Sequence, residues 1–140
     1  MIMNNIKKKI RVVTVFLMHE GKVLILRRSD KVRTMKHKWA GISGYIEGNE
    51  NVLERAYKEI SEETEFSSEE IELVKTAEPL EVPDKELDTL WIVHPHLFKT
   101  SRTDVELNWE HDQYRWIDPA EITSYDTVPM LKETLQSVLK

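Results

Sequence analysis

The sequence predicts a single α/β domain whose strands outnumber its helices and whose main helix lies mid-chain between strand segments. Three observations lead there. Apolar, β-branched runs stand on both sides of the middle, IRVVTVFL at 10–17 and TLWIVHPHLF at 89–98. Between them, the stretch ending at Phe66 has helical rather than alternating spacing of its apolar residues. Finally, 140 residues without a Pro/Gly/Ser-rich linker, charge block, repeat or low-complexity run suit one domain with a real core.

In chain order, residues 10–17 and 23–28 (VLILRR) read as two strands joined by a turn at His19-Glu20-Gly21-Lys22, a hairpin feeding a buried sheet. Arg27 and Arg28 are adjacent, so on a strand they face opposite sides and only one can point into a site beneath the sheet. The loop 30–38 (DKVRTMKHK) carries Lys31, Arg33, Lys36 and Lys38 around His37. Its plain reading is a solvated loop; its functional reading is an electrostatic lip that draws in a polyphosphate. Residues 39–46 form a short strand, with Trp39 assigned to the core.

After the helix, 67–70 is a connector and 71–82 a strand broken near Pro79. Residues 83–88 form a charged loop, either a lid or a hairpin turn. The strand at 89–98 contains Pro95, which places it at a sheet edge or bulge; as an edge it would also be a seam for a homodimer. His94 and His96 share one face of it and read as polar edge positions rather than metal ligands. Residues 114–117 form a last strand and Asp118-Pro119 starts a helix. Residues 128–139 form a closing amphipathic helix with Leu131, Leu135, Val138 and Leu139 inward.

Composition removes several classes of function. Lys and Arg number 20 against 25 Asp and Glu, a formal charge of −5. This balance argues against general nucleic-acid coating and leaves room only for a local basic patch. The absence of cysteine excludes disulfides, thiol catalysis and cysteine-ligated zinc. It is compatible with a reducing compartment, and a cytoplasmic location is the expectation. Lys7 to Lys9 precede an apolar run, but 12–18 is short and gives way to His19-Glu20-Gly21, so the run reads as a strand rather than a signal peptide. No segment approaches membrane-spanning length, so no membrane partner is expected.

The chemistry concentrates in residues 43–66, SGYIEGNENVLERAYKEISEETEF. Glu59, Glu62 and Glu63 stand at i, i+3 and i+4 and share one helical face, beside an apolar stripe of Leu53, Ala56, Tyr57, Ile60 and Thr64. Such like charges repel by a few tenths of a kcal/mol per pair when exposed, about 0.2–0.5. A hard, oxygen-preferring cation such as Mg²⁺ or Mn²⁺ would reverse that sign. A solvated acidic face is the competing reading. The residues ahead of the helix favour the metal: Gly44 and Gly48 flank a tight turn, and Asn51 with Glu54 makes a capping pattern. Glycines let backbone approach phosphate or metal, and a helix N-terminus favours anions.

Residues 44–66 resemble the Nudix box, a glycine, five residues, a glutamate, seven residues, and then R-E-U-x-E-E-x-G-U with U bulky and aliphatic. Gly44, Glu50, Glu59, Ile60, Glu62 and Glu63 match in register, and Phe66 ends the pattern. Lys58 stands where the family has arginine, and Glu65 where it has glycine. The first keeps a positive charge but gives up the planar fork that holds a carboxylate bidentately. The second removes the residue best suited to a left-handed helix end. Ser43 also replaces a glycine common just before the box.

The resemblance implies an α/β/α sandwich with a mixed β-sheet and hydrolysis of a diphosphate linked to another moiety, often a nucleoside. It implies Glu62 and Glu63 as principal ligands of Mg²⁺ or Mn²⁺, Glu59 as ligand or general base, and the carbonyl of Ser43 as a further ligand. Glu47 and Glu50 take secondary places, and Lys58 would orient Glu59 or neutralise the cluster. An Arg at 27 or 28 would contact phosphate, and a further carboxylate from the later loop would be Glu110, with Asp112 behind it. The partner is then a small nucleotide-type substrate, with Trp91, Trp109 and Trp116 unranked as stacking residues. The competing reading is a nucleotide-sensing module with the same fold and little turnover. Segments such as WEHDQYRWIDP faintly resemble Nudix domains joined to translation-initiation-factor 2B-like proteins. Isopentenyl diphosphate isomerase chemistry is disfavoured by the missing cysteine.

Overall fold

The computed structural model describes residues 8–140, so Lys7 of the basic N-terminal stretch lies outside the described residues. Eight strands and two α-helices follow in the order β1 (Lys8–His19), β2 (Lys22–Arg28), β3 (Trp39–Ala40), β4 (Ile42–Tyr45), α1 (Val52–Thr64), β5 (Ile71–Thr76), β6 (Leu80–Asp84), β7 (Thr89–Thr100), β8 (His111–Ile117) and α2 (Leu131–Leu139). Short 3₁₀ turns at Ser68–Glu70 and Pro119–Ser124 fill the connections. No helix among these residues is long and apolar enough to cross a membrane.

The long strand β1 organises the sheet. It runs parallel to β7 along its length, and on its other side it pairs first with β4 (Val12–Val15) and then with β2 (Met18–His19), both antiparallel. β2 in turn holds β3 and β8. Alternation along β1 sends Val13, Val15 and Leu17 to one side, where they pack with Ile60, Phe66 and Phe98 under α1. Phe16 goes to the other side, with Ile25, Leu97 and Leu135 under α2. Two apolar layers on the two faces of one mixed sheet make the α/β/α sandwich expected from the sequence.

Several boundaries differ from the expectation for identifiable reasons. The strand expected at 39–46 is split at Gly41, where a Cβ would sit 3.0 Å from the Val15 carbonyl oxygen and 3.1 Å from the Thr14 methyl. Backbone therefore crosses β1 closely there. β7 is not an edge strand: β1 flanks it on one side and β5 and β6 on the other. Pro95 is accommodated because β6 ends its pairing at Val93 and β5 begins at His96, leaving the proline opposite the gap. A dimer seam along 89–98 is therefore removed. His94 and His96 lie on the α1 side of this interior strand, level with Val13 and Val15, and burial lowers the pKa of both. The last strand starts at His111, and α2 starts at Leu131. In α2, Leu131, Leu135 and Val138 are buried as expected, but Leu139 is exposed at the chain end.

Candidate active site

Helix α1 begins as its sequence dictates. The Asn51 side chain accepts from the Glu54 backbone N–H at 3.0 Å, satisfying one of the free donors of the first turn. It ends on Glu65 in the left-handed region (φ 63°, ψ 24°), whose N–H donates to the Ser61 carbonyl at 3.0 Å. The helix thus closes as a glycine would close it, although no glycine is present.

The acidic face of α1 is pressed against β4. A Cβ on Gly44 would overlap the Glu59 carboxyl group, so only glycine leaves that carboxylate its place. Glu59 is buried, Glu63 is 1% exposed, and Glu62 is exposed. Neither oxygen of Glu63 has a hydrogen-bond partner, nor does His111 Nδ1, 3.8 Å from Glu63 Oε1. Burial pushes the pKa of Glu63 well up, and the neighbouring Glu59 and Glu110 carboxyls push the same way. Burial, with the Arg28 charge adding to it, lowers His111 to about 4. The Ser43 backbone N–H pulls the Glu63 pKa the other way but does not close a full hydrogen bond, and an enclosed carboxyl left so is costly unless something else satisfies it.

The guanidinium that orients Glu59 belongs to Arg55. Its Nη1 donates to Glu59 Oε2 at 2.9 Å, while Nε and Nη2 fork onto Glu50 at 2.9 and 2.6 Å. Glu50 is held below the usual carboxylate range by these bonds and by the Glu47 backbone N–H. Arg55 itself is raised by the two carboxylates. Lys58 is exposed and makes no such contact, so the orienting place given to it by the box pattern is filled one helical turn earlier.

A cavity of about 880 Å³ opens in front of this face, within the size range of ligand pockets. Ser43, Gly44, Glu47, Glu59, Glu62 and Glu110 line it, together with Arg28 and the basic-loop residues Lys31 and Arg33. Glu110 is brought in by Asn108, whose Nδ2 donates to the Glu62 carbonyl at 3.1 Å and to Glu110 Oε1 at 3.3 Å. Of the two arginines ending β2, Arg28 faces the cavity, its Nε and Nη2 donating to the Thr34 carbonyl at 3.2 and 2.9 Å. Arg27 instead pairs with Asp112 at 3.1 Å, and neither of these two lines the cavity. Trp91 and Trp109 line it and Trp116 does not; the Trp116 Nε1–H donates to the Thr103 carbonyl.

The family model of the NUDIX domain matches residues 7–138. The chain belongs to the Nudix family. Its class is that of a Nudix pyrophosphohydrolase. It is 27% identical over 117 residues to the mouse (Mus musculus) bis(5'-nucleosyl)-tetraphosphatase [asymmetrical], covering 81% of this chain and 75% of that protein. The crystal structure of the MutT protein from Methanosarcina mazei Go1 superposes with a TM-score of 0.75 at 25% identity, over 93% of this chain and 92% of that one. A C. elegans Ap4A hydrolase in binary complex superposes with a TM-score of 0.70 at 20% identity, over 93% of each chain. That last likeness is one of fold.

Sequence reasoning set Glu59, Glu62 and Glu63 on one face of α1, as the structure has them, but did not single out Arg55, Asn108 or His111, which contact or adjoin that face. Arg55 was within reach: an arginine four residues before Glu59 lies on the same helical face and pairs with it. Asn108 and His111 act across a loop, and local spacing carries no signal for them.

Proposed function

We propose that this Nudix domain hydrolyses the diphosphate linkage of a nucleoside diphosphate derivative, with water attacking phosphorus and a divalent cation assisting. The observation that carries this is Glu63, enclosed at the meeting of α1 and β4 with both oxygens unpartnered. Among the described residues no three acidic or histidine side chains already converge as a closed ligand set. Even so, the donors are all hard oxygens, the right chemistry for Mg²⁺ or Mn²⁺. Glu59, Glu62, Glu63 and the Ser43 carbonyl would hold the cation, and Gly44 leaves the room. When bound, it supplies charge neutralisation at the phosphates and lowers the pKa of water.

The chain's own residues divide the remaining work. Arg55 fixes the rotamer of Glu59, which as a ligand or base must present a defined oxygen to the cavity. Glu110, fixed by Asn108, is the second candidate to take the proton of the attacking water. Arg28, held by the Thr34 carbonyl, offers its remaining donors to a phosphate. Lys31 and Arg33 add positive potential at the cavity mouth.

The test is a panel assay with Mg²⁺ and with Mn²⁺, products identified by mass, covering nucleoside triphosphates, ADP-ribose, nucleotide sugars and dinucleoside polyphosphates. The mouse relative's name makes the last class a natural member. Metal-dependent cleavage between phosphates is expected for at least one class. Glu62→Gln should fold normally and lose that turnover by orders of magnitude; turnover at the wild-type rate would overturn the metal assignment. Tight binding of one nucleotide without any turnover would favour the sensing module instead.

A further inference from the structure

The cavity has a second end that the hydrolytic reading does not use. There, the rings of Tyr45 and Trp91 lie nearly parallel, 21° apart in plane and 6.2 Å between centroids. Strand register builds the surface around them. Tyr45 on β4 is opposite Val12 on β1, Val12 is level with Val93 on β7, and Trp91 on β7 is opposite Val82 on β6. Paired residues share a sheet face, as do residues two apart on one strand, so all five side chains fall on one apolar surface. All five line the cavity.

Two features make this a binding surface rather than ordinary core. Tyr45 is 58% exposed, an uncommon state for a large ring on an otherwise apolar wall. The Trp91 indole is fixed by its own hydrogen bond, Nε1–H donating to Asp84 Oδ2 at 3.2 Å. With that polar handle already satisfied, the indole is held in place beside the exposed Tyr45 ring. Such a platform favours flat, weakly polar rings and is tolerant of their identity. Tyr45 directly follows Gly44 on β4, so the two face opposite sides of the sheet, Gly44 toward Glu59 and Tyr45 toward the α2 side, and the cavity reaches both around β4. β4 pairs only with β1 among the described strands, so its other side is open to the cavity.

Resting on the hydrolytic reading above, we infer that Tyr45 and Trp91 form the nucleobase site, on which the base of the substrate stacks while its phosphates reach the acidic face of α1. Val12, Val82 and Val93 exclude water from beneath the base. Because the platform offers stacking and no hydrogen-bond code, the enzyme discriminates nucleotides from base-free diphosphates more strongly than one base from another.

Steady-state kinetics on a nucleotide found in the panel, and on 5-phosphoribosyl 1-pyrophosphate as a base-free diphosphate, test this with Tyr45→Ala, Trp91→Ala and Trp91→Phe. For each alanine variant, KM for the nucleotide should rise about ten- to a hundredfold, the scale of losing one stacked ring. The ratio of kcat/KM values, nucleotide over base-free, should fall equally, and Trp91→Phe should recover most of it. Tyr45→Ala, altering an exposed ring, guards against misfolding at position 91. An unchanged KM and ratio in both alanine variants, with hydrolysis continuing, overturns the base site and leaves the catalytic reading intact. If wild type hydrolyses nothing, the catalytic reading falls, and tryptophan fluorescence with AMP alone decides the base site. Saturable quenching that Tyr45→Ala weakens at least tenfold supports it, and no quenching overturns it.

Discussion

Arg55 donates through Nη1 to Glu59 at 2.9 Å while its other two nitrogens fork onto Glu50, so one side chain ties the loop before α1 to the acidic face of the helix. The box pattern assigns an arginine to position 58. Here a lysine at 58 points to solvent and the fork has moved to position 55. Arg55→Ala should therefore lower kcat about ten- to a hundredfold, the usual cost of losing a residue that orients a ligand. Lys58→Ala should stay within about threefold of wild type. Arg55→Lys keeps the charge but not the fork and should recover little. Kinetics over a Mg²⁺ titration check this: a kcat and an apparent metal affinity both shared by Arg55→Ala and wild type would remove the orienting role.

How much of this site was legible in the sequence depends on how local each signal is. Glu59, Glu62 and Glu63 were found because helical spacing alone puts them on one face, and Gly44 because the box fixes its offset from them. The choice between Arg27 and Arg28 was not legible. Alternation says that one faces inward, but the pairing with β8 shifts register between the two, and which one turns in depends on that partner strand. Pro95 misled for a similar reason. A proline in a strand signals an edge, yet here it sits opposite a break between two other strands, a break set by residues about fifteen or more positions away along the chain. Trp91 and Tyr45 lie far apart in sequence and meet because β4 and β7 both pair with β1, a register that local spacing does not reveal.

Gly44 carries a prediction of its own. A methyl group there would overlap the Glu59 carboxyl, which is confined by Arg55 and by the sheet. Gly44→Ala should fold, at a cost of about 1–3 kcal/mol for the overpacking. It should lose most hydrolytic activity by displacing Glu59. Urea unfolding separates the two effects: a folded variant with near wild-type turnover would show that Glu59 need not hold its observed position.

Glu65 closes α1 in the left-handed conformation at φ 63°. A side chain there costs roughly 1–2 kcal/mol relative to glycine, less what glycine loses in the unfolded chain. Glu65→Gly should therefore raise stability by about 0.5–1 kcal/mol, a rise in Tm of about 2–4 °C for a chain this size. Hydrolytic activity should be unaffected, because Glu65 does not line the cavity. Thermal unfolding checks it, and a lower Tm would mean that the Glu65 side chain makes a contribution outweighing its backbone strain.

His111 gives the fold a dependence on pH whose direction is set by its burial. Its pKa falls from 6.5 in the unfolded chain to about 4 in the fold, chiefly because the imidazolium cannot be solvated there. Below pH 6.5 the unfolded state binds the proton first, so stability present above that pH is lost as pH falls toward 4. By pH 5 the loss amounts to about 2 kcal/mol. Glu63, 3.8 Å away and raised by burial, works in the opposite sense, since the folded state takes up its proton first as pH drops. The two effects separate in a Glu63→Gln background, where only His111 titrates. Urea unfolding of Glu63→Gln without metal should show about 2 kcal/mol more loss between pH 7.5 and 5 than Glu63→Gln with His111→Asn added. Equal pH dependence in the two would mean that His111 is solvated well enough to take its proton inside the fold.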